Sequence, residues 1–305
     1  MGEIKRIVQK RIILHYQLFL LLLPALIYFL VFHYAPMYGV QIAFKDFTAV
    51  KGINGSLWAG FKHFNNFINS PSFGLIISST IKISLYTLLV GFPFPILLSL
   101  MMNEVKNKTF KKMVQTVTYA PHFISMVVLV GMINLFFSPV SGIVNQLIQL
   151  MGGKAINFLV SPQWFIILYV LSHVWQNTGW SSIIYIAALA SIDLQLHEAA
   201  ITDGASKWQR LWHINIPGIL PTIVILFILN SGHIMSVGFE KVFLMQNPLN
   251  MQASDVISTY VYRTGLMSAE YSFASAVGLF TSVINFVILL MVNAIAKRVN
   301  ETSLW

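Results

Sequence analysis

His197 and Glu198 open a run, HEAAITDGASKWQRLWHINIPGILP at 197–221, that begins as a zinc-protease helix does. In H-E-x-x-H, two histidines one turn apart hold the metal and the glutamate acts as base. Here the fifth position is Ile201, the next histidine is His213, and the chain contains no cysteine. A zinc site needs at least three protein ligands, so the metal reading fails. A second concentration of polar and aromatic groups is SHVWQNTGW at 172–180, with His173, Trp175, Gln176, Asn177 and Trp180. Amide side chains beside flat rings suit a ligand that carries hydroxyls around apolar C–H faces, as sugars do. No G-x-x-x-x-G-K-[ST] phosphate loop is present, so ATP has to be bound elsewhere if it is used at all.

The elements that must hold these groups are set by composition. Of 305 residues, 56% are hydrophobic and only 10% charged, against about 25% charged in soluble domains. A bilayer span takes about 20 mostly apolar residues, and such stretches fall at 14–34, 73–101, 113–137, 164–190, 216–239 and 273–296. The sequence therefore predicts an all-α polytopic membrane protein with six transmembrane helices. Pro24, Pro93 and Pro95 lie inside these stretches, and neighbouring helices can satisfy the backbone groups that such residues free. The first run follows a basic segment, but it is too long for a signal-peptide core and no A-x-A-like site follows it. It reads as a retained span.

Basic residues set the expected orientation. With the N-terminus inside, the cytoplasmic segments hold Lys5, Arg6, Lys10, Arg11, Lys106, Lys108, Lys111, Lys112, Lys207, Arg210, Lys297 and Arg298, which is twelve of the 19 Lys and Arg. The longer outer segments hold Lys45, Lys51, Lys62, Lys154, Lys241 and Arg263, and Lys82 lies in the second span. Both termini are expected in the cytoplasm, and the net charge of +9 is a topology signal that needs no nucleic acid to explain it. The expected division is a cytoplasmic N-terminus at 1–13, a six-helix domain at 14–298 with a cytoplasmic loop at 192–217 between spans four and five, and a cytoplasmic tail at 299–305.

The loops differ in character. Trp58, Phe61, Phe64, Phe67 and Ile68 recur at helical spacing in the first outer loop, which suggests an amphipathic helix, either an interfacial anchor or a docking surface. The second, 138–164, suits a re-entrant or surface helix, and the third, 240–272, reads as polar and mixed in charge. In the cytoplasmic loop a short helix is expected to end at Gly204. Ser206 and Gln209 form an S-x-x-Q capping box that starts the next helix. Two short helices at an angle make a knob in which Ala199, Ala200 and Ala205 admit a partner's backbone, Glu198 and Asp203 supply charge, and Trp208 and Leu211 supply apolar grip. A solvated loop is the bland alternative.

The run from Glu198 closely resembles the E-A-A-x-x-D-G-A…I-x-L-P loop of permease subunits of binding-protein-dependent ABC importers. It matches at Glu198, Ala199, Ala200, Asp203, Gly204, Ala205, Ile214 and Pro217, with Ile216 where leucine is usual. PMYGVQIAFKDF at 36–47, GINGSLWAGFKHF at 52–64 and NETSLW at 300–305 are similar to the carbohydrate branch, in the subgroup associated with complex oligosaccharides and polysaccharide fragments. The resemblance implies the type I importer permease fold in a bacterial cytoplasmic membrane. It also implies a second permease subunit, two cytoplasmic ATPases that carry ATP and Mg and dock on the loop as a coupling helix, and an extracytoplasmic sugar-binding lipoprotein. No cofactor is expected in this chain, and it is expected not to be an enzyme.

Polar groups inside a span are costly and usually functional. Besides the cluster at 172–180, the fifth span carries Asn230, Ser231, His233 and Ser236, the third carries Tyr119, His122 and Asn134, and Asn285 marks the sixth. Asn134 and Asn285 suit interhelical hydrogen bonds, and Lys82 can snorkel to the outer surface. Sugar contacts in maltose-type permeases, carried over by the resemblance, fall near His173, Gln176, Asn177, His233 and Ser236, with Tyr119 and His122 matching the start of span three. Together with Trp175, these form the candidate pathway. No basic cluster in the spans demands an acidic saccharide. A non-carbohydrate solute remains an alternative substrate. A secondary transporter would need repeats or ionisable coupling residues, and an intramembrane enzyme would need a nucleophile–base pair or metal cluster.

Overall fold

The computed structural model describes residues 16–300 together with 303 and 304. The basic N-terminal segment 1–13 and most of the tail 299–305 lie outside them. Along the chain run α1 (Tyr16–Phe44), α2 (Phe73–Glu104), α3 (Lys108–Phe123), α4 (Met126–Phe136), α5 (Pro162–Ala190), α6 (Leu194–Thr202), α7 (Lys207–Ser231), α8 (Phe239–Met245) and α9 (Tyr271–Arg298), with shorter helical turns between them. Four of these, α1, α2, α7 and α9, are each long and apolar enough to cross a membrane. The expected six is reached when two bent pairs, α3 with α4 at 100° and α5 with α6 at 69°, count as one span each. The third span is thus no straight helix. Pro121 and a 3-10 turn at Ala120–Phe123 end α3, and Ser125 caps the start of α4 by accepting from the Val128 N–H.

Proline also shapes α1. Pro36 has no N–H to donate, and the hydrogen-bond pattern shifts around it, through a π turn at Leu30–Tyr34 into a 3-10 stretch at Ala35–Phe44. No residue of Tyr16–Phe29 is buried. The body of the protein packs around Phe67, Ile76, Phe273 and Val277 beside α9, around Ile83, Leu129, Phe165 and Val242 between α2, α4, α5 and α8, and around Leu100, Tyr185, Leu189 and Ile219 toward the knob.

Two outer segments depart from expectation. The amphipathic helix at 58–68 is confined to Lys62–Ile68, because Gly60 adopts φ +59 and breaks the run. Trp58 belongs instead to a two-residue antiparallel ladder, opposite Lys45. Phe67 is 1% exposed and packs on Phe73 and Phe280, facing protein and not lipid. The segment 240–272, expected as a polar loop, is folded inside. It buries Val242, Val256 and Ile257, while Asp255 accepts from Thr259 Oγ1 at 3.0 Å and pairs with Arg263 at 2.6 Å. Its polar groups satisfy one another, so composition alone misreads it. The segment 138–164 does carry a short surface helix, Ile143–Leu150, anchored by Asn145, whose amide bonds to Ser138 O and to both backbone groups of Ile156.

Candidate functional site

Asp193 caps α6 by accepting from the Gln195 N–H at 2.9 Å. The helix ends in a Schellman motif: the Ala205 N–H reaches Ala200 O at 2.8 Å, the Gly204 N–H reaches Ile201 O at 3.0 Å, and Gly204 takes φ +78. Ser206 and Gln209 then form the reciprocal capping box that starts α7, with bonds of 2.7 and 3.3 Å. The two helices stand out as a knob. Glu198, Ala199, Asp203 and Gly204 are exposed, Ala200 and Ala205 half-buried, and Leu194, Ile201, Trp208 and Trp212 present apolar surface to the outside. Among the described residues no group of three or more His, Cys, Asp or Glu can hold a metal.

Above the knob, α2, α5 and the turn after α7 enclose a cavity of about 630 Å³. His173, Asn177, His233 and Ser236 line it, as does Trp180. His122 stands just behind: its ring stacks on Trp180 with centroids 4.6 Å apart, and Nδ1 lies 3.2 Å from Asn177 Oδ1. Asn177 Nδ2 in turn donates to His173 O at 3.0 Å. Ser236 Oγ accepts from Asn285 Nδ2 at 2.8 Å, while Asn285 Oδ1 accepts from the Met235 N–H at 2.9 Å, so Asn285 ties α9 to the turn after α7, where a bond between two helices was expected.

Besides His122, three candidates do not reach the cavity. Gln176 is 3% exposed and turned toward the break between α3 and α4, where Nε2 donates to Ile124 O at 3.0 Å. Trp175 is exposed on the outside of α5, and Tyr119 does not line the cavity. Helix geometry is the reason: residues four apart share a face, whereas successive residues are turned by about 100°. The same rule finds what a polar tally missed. Tyr169, one turn before His173, and Tyr185 line the cavity from α5, and Ser84 and Thr87 face it from α2.

Residues 91–301 match the family described as binding-protein-dependent transport system inner membrane component, and the chain belongs to it. Protein LplB of Bacillus subtilis (strain 168) is 42% identical over 288 residues, covering 94% of this chain and 91% of that one. The polygalacturonan/rhamnogalacturonan transport system permease protein YteP of the same organism is also 42% identical, covering 94% and 90%. A chain of a bacterial ABC transporter involved in import of the acidic polysaccharide alginate superposes with a TM-score of 0.88 at 42% identity, covering 96% of this chain and 99% of that one. That transporter has also been solved with alginate pentasaccharide-bound periplasmic protein, with the same TM-score and identity. This protein is therefore a multi-pass membrane permease of the ABC importer class with the type I fold, and not an enzyme.

Proposed function

We propose that the chain is one transmembrane half of an ATP-driven importer of oligosaccharides, working with a second permease, two cytoplasmic ATPases and an extracytoplasmic binding protein. One observation carries the reading. α5 presents His173, Asn177 and Trp180 to the cavity and continues, through a 69° bend, into the exposed knob at α6. Amides, hydroxyls and aromatic faces on the cavity wall suit a sugar, and relatives named for polygalacturonan, rhamnogalacturonan and alginate support that class. Glu198, Ala199, Ala200, Asp203, Gly204 and Ala205 form the surface on which an ATPase docks, and both termini lie on that same cytoplasmic side. ATP binding closes the ATPases and moves the knob, and a rigid helix carries the movement to the cavity wall. Each ligand must favour one state differentially for this coupling to work.

The test is uptake in proteoliposomes holding the complete importer. Gly204→Pro, or Glu198→Ala with Asp203→Ala, is expected to leave the complex assembled while abolishing ATP-dependent oligosaccharide uptake. Undiminished uptake by these variants refutes the coupling role of the knob.

A further inference from the structure

None of the residues that line the cavity is Lys, Arg, Asp or Glu, and its titratable wall groups are the imidazoles of His173 and His233 and the phenols of Tyr169 and Tyr185, so an ammonium, guanidinium or carboxylate charge felt by a ligand there comes from behind the walls. Lys241 stands in that position. It is 3% exposed, three residues beyond Gly238, which lines the cavity. Its Nζ donates to Tyr169 O at 2.9 Å and lies 4.4 Å from the centre of the Tyr169 ring, and Tyr169 itself faces the cavity. Among the described residues no carboxylate pairs with it. The neighbouring Glu240 is exposed and Asp255 is engaged by Arg263.

An ammonium has three N–H donors, and one carbonyl and one ring face leave this one short of partners. A buried cation without a counter-ion is unfavourable, and burial holds the Lys241 pKa down at about 7. An anion on the cavity side of Tyr169 would supply the missing counter-charge across the ring. We propose that Lys241 is the residue by which this permease favours anionic saccharides, such as oligouronates, over neutral ones. This rests on the oligosaccharide reading above. At an effective dielectric of about 20, one such charge is worth roughly tenfold in affinity at this range.

The experiment, run at about pH 6 so that Lys241 carries its proton, compares trigalacturonate with its methyl ester as substrates of the complete importer in proteoliposomes, using the same binding protein throughout. Wild type is expected to take up the free acid with a KM lower relative to the ester than K241M does, by about tenfold. K241R is expected to keep the wild-type preference, with basal ATP hydrolysis unchanged in both variants. A K241M variant with the wild-type preference, or one that loses acid and ester alike, overturns the proposal. Should K241M fail to assemble, wild type and K241R decide: uptake of the ester as good as that of the acid overturns it. If wild type imports neither saccharide and no other oligosaccharide, the oligosaccharide reading itself falls. If it imports neutral oligosaccharides only, that reading stands and the Lys241 proposal alone falls.

Discussion

The ring of His122 lies flat on the indole of Trp180, centroids 4.6 Å apart and planes within 3°. The pair joins the turn that ends α3 to the middle of α5 and backs one wall of the cavity with a rigid plate. Trp180→Ala is expected to remove both the plate and its packing on Phe123. Aromatic contacts of this kind are worth about 0.5–1.5 kcal/mol, so the KM for oligosaccharide uptake should rise about 2- to 10-fold, with Trp180→Phe recovering part of it. An unchanged KM would remove Trp180 from the pathway.

Asn177 and Gln176 are neighbours with opposite expected phenotypes. Asn177→Ala takes an amide out of the cavity wall and frees His122 and His173, and it should weaken uptake while leaving the melting temperature close to that of wild type. Gln176→Ala leaves Ile124 O without its donor, at a cost of about 1–3 kcal/mol for a buried group. It should lower the melting temperature of the solubilised chain and leave the choice of sugar alone. Thermal melts set against uptake kinetics separate the two.

At Gly179 a Cβ would overlap Thr118 O, a backbone atom that cannot swing away. Gly179→Ala should therefore push α5 off α3. Overpacking of this kind costs about 1–3 kcal/mol, and reduced yield of folded protein with a lowered melting temperature is the expected result. A fully stable variant refutes this close approach of α5 to α3.

Lys241 titrates near 7, well below its usual value of 10.5. Between those values the unfolded chain holds a proton that the native state has released, so stability rises with pH across the interval and flattens outside it. Melting temperatures of the solubilised wild type should climb from about pH 7 to about pH 9 relative to K241M. Parallel profiles would show that Lys241 keeps its proton in the folded protein.

Ser206→Ala removes the acceptor for the Gln209 N–H at the start of α7. Loss of such a cap costs about 1 kcal/mol. The knob should fray, seen as faster amide exchange at 206–210, while the backbone amides of α5 beside the cavity stay protected.

The knob was legible residue by residue. A Schellman end at Gly204 and a capping box at Ser206 depend on neighbours within six positions, so local sequence suffices to specify them. The apolar runs were equally plain, because a bilayer demands them in one dimension. The cavity was only half legible. His173 and Asn177 share a face one turn apart, but which face of α5 looks inward is set by α2 and α4, and that choice buried Gln176 and left Trp175 outside. The segment 240–272 was the least legible. Its Asp255–Arg263 pair and buried Asn250 carry the composition of a solvated loop, and only their mutual hydrogen bonds let them enter the interior. Lys241 went with them. Sequence assigned it to an outer segment, whereas tertiary packing set it against Tyr169, since a long apolar stem can carry an amine into a core wherever a carbonyl and a ring face await it.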